Sequence, residues 1–239
     1  LLALFRFMPQ LIRLRADRSV YTLVSRYIRD PQLRMTMSFH PLLIGGNPFS
    51  VTSVYTLISF LEQRFGVWSA MGGTGSIVKG MAGLVEGQGG KIECNAEVEE
   101  ILVDKGEVRG VRLADGRTLH SDIVVSNADA AWTYQHLIKA EHRKRWTDRK
   151  IDRSHFSNGL FVWYFGTEGK YPDVPHHSVI LGPRYKGLLD DIFKRKVLAD
   201  DFSLYLHRPT ETDPSLAPGG CDTFYALAPV PHLDADVDW

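Results

Sequence analysis

Three stretches of the chain combine residue types at spacings that could do chemistry. The first is Gly72-Gly73-Thr74-Gly75, just ahead of the apolar stripe Ile77, Val78, Met81, Leu84 and Val85. Glycines let a backbone approach a phosphate, and a helix N-terminus offers free N–H groups to an anion. The spacing is neither GxGxxG with its acidic partner nor a P-loop, so a tight turn into a closely packed helix is the simpler reading. The second is Val124-Val125-Ser126-Asn127-Ala128-Asp129, an apolar run ending in small polar residues. Ligands of open α/β sheets sit at the carboxyl ends of strands, and small residues there would admit a ring system. Asn127 or Asp129 as the cap of a helix from Ala130 explains the same residues. The third is the start of the chain, where Arg6, Arg13, Arg15, Arg18, Arg26, Arg29 and Arg34 face only Asp17 and Asp30. That local excess of five positive charges lies beside Phe5, Phe7, Met8, Leu11 and Ile12. The pattern fits a helix on an anionic membrane surface, and equally the solvated face of a core helix.

Other chemistries find little support. His176 and His177 are adjacent, so within a strand they would point to opposite faces. His40, His155, His207 and His232 are scattered, and no metal site is expected. No GxSxG or Ser/His/Asp order occurs. Cys94 and Cys221 give neither a disulfide framework nor a zinc spacing, which leaves a reducing compartment as the default. Lys+Arg and Asp+Glu both number 28, so the chain is neutral and a general nucleic-acid binder is disfavoured. At 44% hydrophobic residues over 239 positions, it can bury a core. Neither a signal peptide nor an apolar run long enough for a spanning helix is expected. The ends, Leu1 without an initiator Met and Asp238-Trp239 without a closing element, suggest an internal piece of a longer protein.

These residues must be positioned by elements the pattern also predicts. Residues 1–66 read as helices, with Asp30 capping one that has Pro31 at its first position, and with Gly66 stopping the helix over 53–65. A helix follows the glycine turn. Residues 92–126 read as β: Ile92 to Cys94, Val98 to Val103, Val108 to Leu113, Thr118 to Ser121 and a doubly buried Ile123 to Ser126. The turns are Asp104-Lys105-Gly106-Glu107 and Ala114-Asp115-Gly116-Arg117. Residues 130–150 read as a helix, then a basic loop. Aromatic-rich strands follow at Leu160 to Phe165, Ser178 to Leu181, Ser203 to His207 and Thr223 to Ala228, with a helix over 190–194.

The stretch from Ser38-Phe39-His40-Pro41 through Ile44-Gly45-Gly46-Asn47-Pro48-Phe49 resembles the bacterial and fungal type of phytoene desaturase, the flavoprotein of carotenoid biosynthesis. So do Gly66-Val67-Trp68 with the glycine turn, Ser126-Asn127-Ala128-Asp129, and Gly182-Pro183-Arg184-Tyr185. Asp201-Phe202-Ser203-Leu204-Tyr205-Leu206-His207 and Leu227-Ala228-Pro229-Val230-Pro231-His232 extend it in the family's order. Each piece alone is weak, but the set is specific.

The resemblance implies an α/β (α+β) fold of the flavin amine oxidase type: part of an FAD-binding Rossmann-like domain plus a substrate domain of helices and a mixed sheet. Residues 1–66 would be a substrate- and membrane-facing helical segment, 67–132 a segment of the FAD-binding domain, and 133–239 the substrate-domain sheet and helices. The family's GxGxxG fingerprint and C-terminal flavin-contacting segment are absent from this stretch. Val98, Asn127 and Ala128 are the positions carried over as flavin contacts. Phe161, Trp163, Phe165, Tyr205 and Phe224, with Tyr164 beside them, would line a tunnel for a hydrophobic carotene, although strand alternation must turn half of such a set away. The implied activity is hydride transfer to FAD, with no catalytic side chain assigned, in a cytoplasmic protein peripheral to the membrane. Another flavin oxidoreductase of this fold (a carotenoid isomerase or oxidase, an amine oxidase) and a non-enzymatic membrane-surface module are the alternatives.

Overall fold

A computed structural model describes residues 7–239. Phe5 and Arg6 of the basic start therefore lie outside the described residues. The chain divides into two compact units, one formed by the residues up to Lys79 together with Phe156–Trp239, the other by Gly80–His155.

The first unit opens with short helices. α1 is Met8–Arg13, with Pro9 in its first turn; it ends where Arg15 turns left-handed at φ 53°. α2, Val20–Tyr27, is capped by the Ser19 hydroxyl, which accepts from the Thr22 N–H at 3.2 Å, and it buries Val20 and Val24. α3, Pro31–Ser38, is capped by Asp30, whose Oδ1 accepts from the Leu33 N–H at 2.9 Å. A 3₁₀ turn over Ser53–Thr56 leads into α4, Leu57–Phe65, which stops at Gly66 with φ 75°. Gly72 and Gly73 are left-handed at φ 80° and 76°. The Gly72 N–H donates to Asp213 Oδ2 at 2.5 Å, so this turn is tied to its own unit by a carboxylate. α5, Thr74–Gly87, follows.

The second unit holds a three-stranded antiparallel sheet in the order β1-β2-β3: Val98–Asp104, Glu107–Leu113 and Thr118–His120. Lys105 and Gly106 are both left-handed (φ 51° and 82°) between the paired Asp104 and Glu107, the two-residue turn whose twist matches the strands it joins. Ile101 and Leu113 are buried. Glu100 is buried too, paired with Lys139 at 2.8 Å and Arg112 at 2.5 Å.

Three expected elements differ here. Ile92 to Cys94 forms no strand. Ile123 to Ser126 forms no strand, with Ile123 76% and Val125 89% exposed. No strand among the described residues pairs with it, and a doubly buried strand requires neighbours on both sides. The helix expected to open residues 130–150 is short, α6 (Ala130–Trp132) with a π turn at Thr133–Leu137, and the basic stretch after it holds a 3₁₀ turn at Ala140–His142 and α7 (Asp148–Asp152). The run from Lys139 to Arg145 is almost wholly charged, so it has no apolar stripe to hold a longer helix down.

Back in the first unit, β4 (Gly159–Thr167), β5 (His177–Ile180), β6 (Leu204–His207) and β7 (Asp222–Val230) form a sheet in the order β4-β7-β6-β5. Every pairing is antiparallel, so the expected mixed sheet is corrected to an antiparallel one. β4 and β7 match residue for residue from Gly159↔Val230 to Thr167↔Asp222. Between β5 and β6 lies α8, Tyr185–Asp190. Its Tyr185, Leu188 and Leu189, with Ile192 and Ala199, form the main core, against which Tyr21, Met35, Leu42, Phe49 and Phe193 pack. Burial pushes the Tyr185 phenol up to about 12, and its oxygen lies 3.2 Å from Ser38 Oγ.

Candidate functional site

The four-stranded sheet has two chemically different faces, and its register sorts the aromatic residues between them. Residues two apart on a strand, and directly paired residues on neighbouring strands, share a face. Phe161, Trp163 and Phe165 therefore lie on one side with their partners Ala228, Ala226 and Phe224, and with Leu206, which pairs with Ala226. Phe165 stacks on Phe224 at 5.2 Å and 11°, and Trp163 sits 4.7 Å from Phe165. Phe224 is buried, whereas Phe161 and Trp163 are each 60% exposed. This face offers aromatic surface and no ionisable group on those positions.

The other face carries Tyr164, Tyr225, Tyr205, His177 and His207. Of the expected tunnel residues, Phe161, Trp163, Phe165 and Phe224 are thus brought together, and Tyr205 is not. Tyr205 lies 5.7 Å from the Tyr225 ring, and its hydroxyl is 2.6 Å from His177 Nδ1. Burial drives the Tyr205 phenol well above its ordinary range, with Tyr225 adding to the effect.

His176 joins this face in a way strand alternation does not foresee. β5 begins at His177, so His176 lies outside the strand and its ring stacks on that of His177 at 4.3 Å. Its Nε2 is 2.8 Å from His207 Nε2, and its Nδ1 is 2.5 Å from Thr212 Oγ1. Burial, then the neighbouring His176 and His177, lowers the His207 imidazole to about 4. Burial and His176 lower His177 as well, against a smaller upward pull from Glu62. Glu62 itself lies on α4 with its oxygen 3.2 Å from His40 Nε2, and Ser59 Oγ is 3.3 Å from His40 Nδ1. Ser59 and Glu62, three residues apart, hold the 3₁₀ turn His40–Ile44 to the helix.

Behind the histidines stands a buried ion pair. Asp222 Oδ2 accepts from Arg208 Nε at 2.9 Å and from the Tyr171 N–H at 2.8 Å, and Oδ1 accepts from Thr210 Oγ1 at 2.7 Å. Burial pushes the Asp222 carboxyl up, but the hydrogen bonds from Thr210, Tyr171 and Arg208 win and hold it below the usual range. Arg208 also donates through Nη1 to the Val174 carbonyl at 2.5 Å, and through its backbone N–H to the His176 carbonyl at 2.9 Å. The pair thereby fixes the segment leading into β5.

The expected flavin contacts lie in the second unit. Val98 opens β1, half-buried and paired with Leu113. Asn127 and Ala128 are exposed on the unladdered stretch. The helix cap is Asp129, whose Oδ1 accepts from the Trp132 N–H at 3.0 Å, which leaves Asn127 free of that duty.

No family model matches the chain. Its fold is shared with solved structures: an oxidoreductase from Methanosarcina mazei superposes with a TM-score of 0.65 at 21% identity, over 89% of this chain and 47% of that one. A protein from Pyrococcus furiosus gives 0.64 at 17% identity, over 92% and 53%. By sequence the chain is 54% identical, over 99% of its length, to a neurosporene-forming phytoene desaturase of Cereibacter sphaeroides. It is 52% identical over 99% to that of Rhodobacter capsulatus, and 52% over 97% to a lycopene-forming phytoene desaturase of Pseudescherichia vulneris. The chain spans about half the length of these relatives, 46% to 47% of each. The likeness to phytoene desaturases first seen in scattered motifs therefore runs along the whole chain.

Proposed function

We propose that this chain takes part in the FAD-dependent desaturation of phytoene or a related carotene precursor. The observation that carries the reading is identity of 52–54% over 99% of the chain to two phytoene desaturases. The apolar sheet face supports it: an uncharged polyene precursor can be held only by burial and shape, and Phe161, Trp163, Phe165 and Phe224 supply both. Their electron-rich faces also favour positive charge developing on the hydrocarbon. Tyr205, on the opposite face, takes no part in this floor. FAD, when bound, supplies the hydride acceptor that no side chain here can provide. The residues present suit such a group: the stretch through Asn127 and Ala128 has exposed, unladdered backbone, and Ala128 adds only a methyl. Val98, Asn127 and Ala128 would contact it, within the segment 67–132 read as flavin-binding. The segments 1–66 and 133–239 would serve the substrate, at a membrane surface.

The test uses the full-length protein with FAD and phytoene-loaded liposomes, followed by the absorbance of the longer conjugated polyene. Trp163→Glu puts a charge on the apolar floor and should cut turnover about tenfold or more, since a poorly paired charge there costs upwards of about 1.4 kcal/mol. Tyr164→Glu, on the other face, should leave it within about twofold. A flavin-loaded wild type that leaves phytoene untouched would sink the reading, and oxidation of an amine by that preparation would put the protein in a different class.

A further inference from the structure

Three imidazoles meet at the ends of β5 and β6, and the proposed function assigns them no role. One ring nitrogen of each of His176, His177 and His207 lies within 4.8 Å of those of the other two. The cluster is built into the fold. His177 and His207 are direct partners in the β5–β6 register. His176 is fixed by its carbonyl on the Arg208 N–H, with the buried Arg208–Asp222 pair behind it.

Two features resemble a ligand set more than an ordinary polar cluster. Metal-binding histidines commonly hand their second ring nitrogen to an oxygen, which fixes the tautomer and the ring plane. Here His176 Nδ1 faces Thr212 Oγ1 at 2.5 Å and His177 Nδ1 faces Tyr205 Oη at 2.6 Å, so the Nε2 atoms of both rings are left for another partner. Meanwhile, His176 Nε2 and His207 Nε2 confront each other at 2.8 Å, an arrangement that one shared proton can satisfy and a cation can replace. His207 Nδ1 is buried with no hydrogen-bond partner, so Nε2, facing His176, is the nitrogen through which this ring engages its neighbours. A zinc ion with ligand bonds of about 2.0–2.1 Å spaces tetrahedral nitrogens by about 3.4 Å. The separations here, from 2.8 Å up to the 4.8 Å limit, bracket that value.

The geometry points to a transition-metal site in which His176, His177 and His207 hold a borderline divalent cation, zinc being the best fit to three imidazoles with a fourth position for water. The ion would clamp β5, the edge strand of the sheet, and the segment before it onto β6. The site is independent of the desaturase reading.

The experiment takes the full-length, tag-free protein, stripped with a chelator and titrated with Co²⁺ and then Zn²⁺. One Co²⁺ per chain should give the strong visible bands of a four-coordinate nitrogen site, bleached by one equivalent of Zn²⁺, and Zn²⁺ should raise the thermal midpoint. His207→Gln and His177→Gln should each abolish the bands. Thr212→Val keeps all three rings and should weaken Zn²⁺ binding about tenfold, because it frees His176 Nδ1. If the wild type gives only the faint bands of octahedral Co²⁺, or binds Zn²⁺ no more tightly than His207→Gln, the site does not exist. The wild-type spectrum needs no variant, so a variant that fails to fold cannot shield the idea.

Discussion

At the scale of single residues, Asp222 organises more of the first unit than any motif suggested. It gathers Arg208, Thr210 and the Tyr171 amide on one buried carboxylate. Removing one partner of a buried pair usually costs about 3–5 kcal/mol, because the other charge stays behind. Arg208 keeps Glu211 at 2.8 Å, an exposed partner, so Asp222→Ala should fall at the low end, about 3 kcal/mol in urea unfolding. The pH dependence has a fixed sign. A carboxyl held below its ordinary range in the folded state stabilises fully above that range and loses its contribution as pH falls through it. The stability gap between wild type and Asp222→Asn should therefore shrink from pH 7 to about pH 3; a gap that stays constant would mean that the charge contributes nothing. None of this was legible in Gly219-Gly220-Cys221-Asp222, since the partners come from two other segments, at Tyr171 and at Arg208 to Thr210. The convergence of the histidines was not legible for a related reason: whether His176 lies inside the strand, and which residue faces His177, are decided by a pairing that spans α8.

At the scale of elements, what could be read was what is local. The β1–β2 turn, the Asp30 cap and the stop at Gly66 each rest on side chains or backbone angles within four residues. Ile123 to Ser126 could not be read correctly, because a doubly buried strand depends on strands elsewhere, and the short turns of the basic stretch depend on tertiary contacts such as that of the buried Arg143 with Asp148. Strand alternation was legible as a rule, yet it could not say which half of the aromatic set would face which way until the register with β7 was known. Gly110 gives an element-level test. It sits in β2 at φ 130°, and a Cβ there would lie 2.0 Å from the Leu119 carbonyl oxygen on β3. Backbone cannot yield as a side-chain tip can, so Gly110→Ala should part β3 from β2 and cost about 3 kcal/mol or more. Gly116 is also left-handed, at φ 89°, but nothing lies within 4 Å of the added carbon, so Gly116→Ala should cost only about 1–2 kcal/mol of backbone strain. Equal losses in chemical unfolding would show that crowding at β3 is not the controlling factor.

At the scale of the molecule, the carotene substrate proposed above would dissolve in lipid, and the question is how the protein would meet it. No helix among the described residues is long and apolar enough to cross a membrane. α1 offers a different device. α2 buries Val20 and Val24 in the unit, whereas α1 buries nothing: Phe7, Met8, Ile12 and Leu14 are exposed, beside exposed Arg13, Arg15 and Arg18. A core-facing helix would hide that stripe and leave only its arginines in solvent; the exposure seen in this chain suits the proposal that the helix lies on an anionic leaflet. Each basic residue reaching the surface would contribute roughly 1 kcal/mol, and Arg18 less, because Asp17 holds it at 3.0 Å. Changing Arg13, Arg15 and Arg18 to Glu replaces that attraction with repulsion and leaves the apolar stripe alone. The full-length triple variant should stop floating with anionic liposomes, while its flavin absorbance stays that of the wild type, since none of the three lies in the segment read as flavin-binding. Raising the salt should release the wild type in the same direction, because screening weakens surface charge within a Debye length of about 8–10 Å. If the variant floats as well as the wild type, the arginines are merely solvated, and the hydrocarbon must be taken up through another exposed apolar surface, of which Trp68, 88% exposed beside Val67, is the first to test.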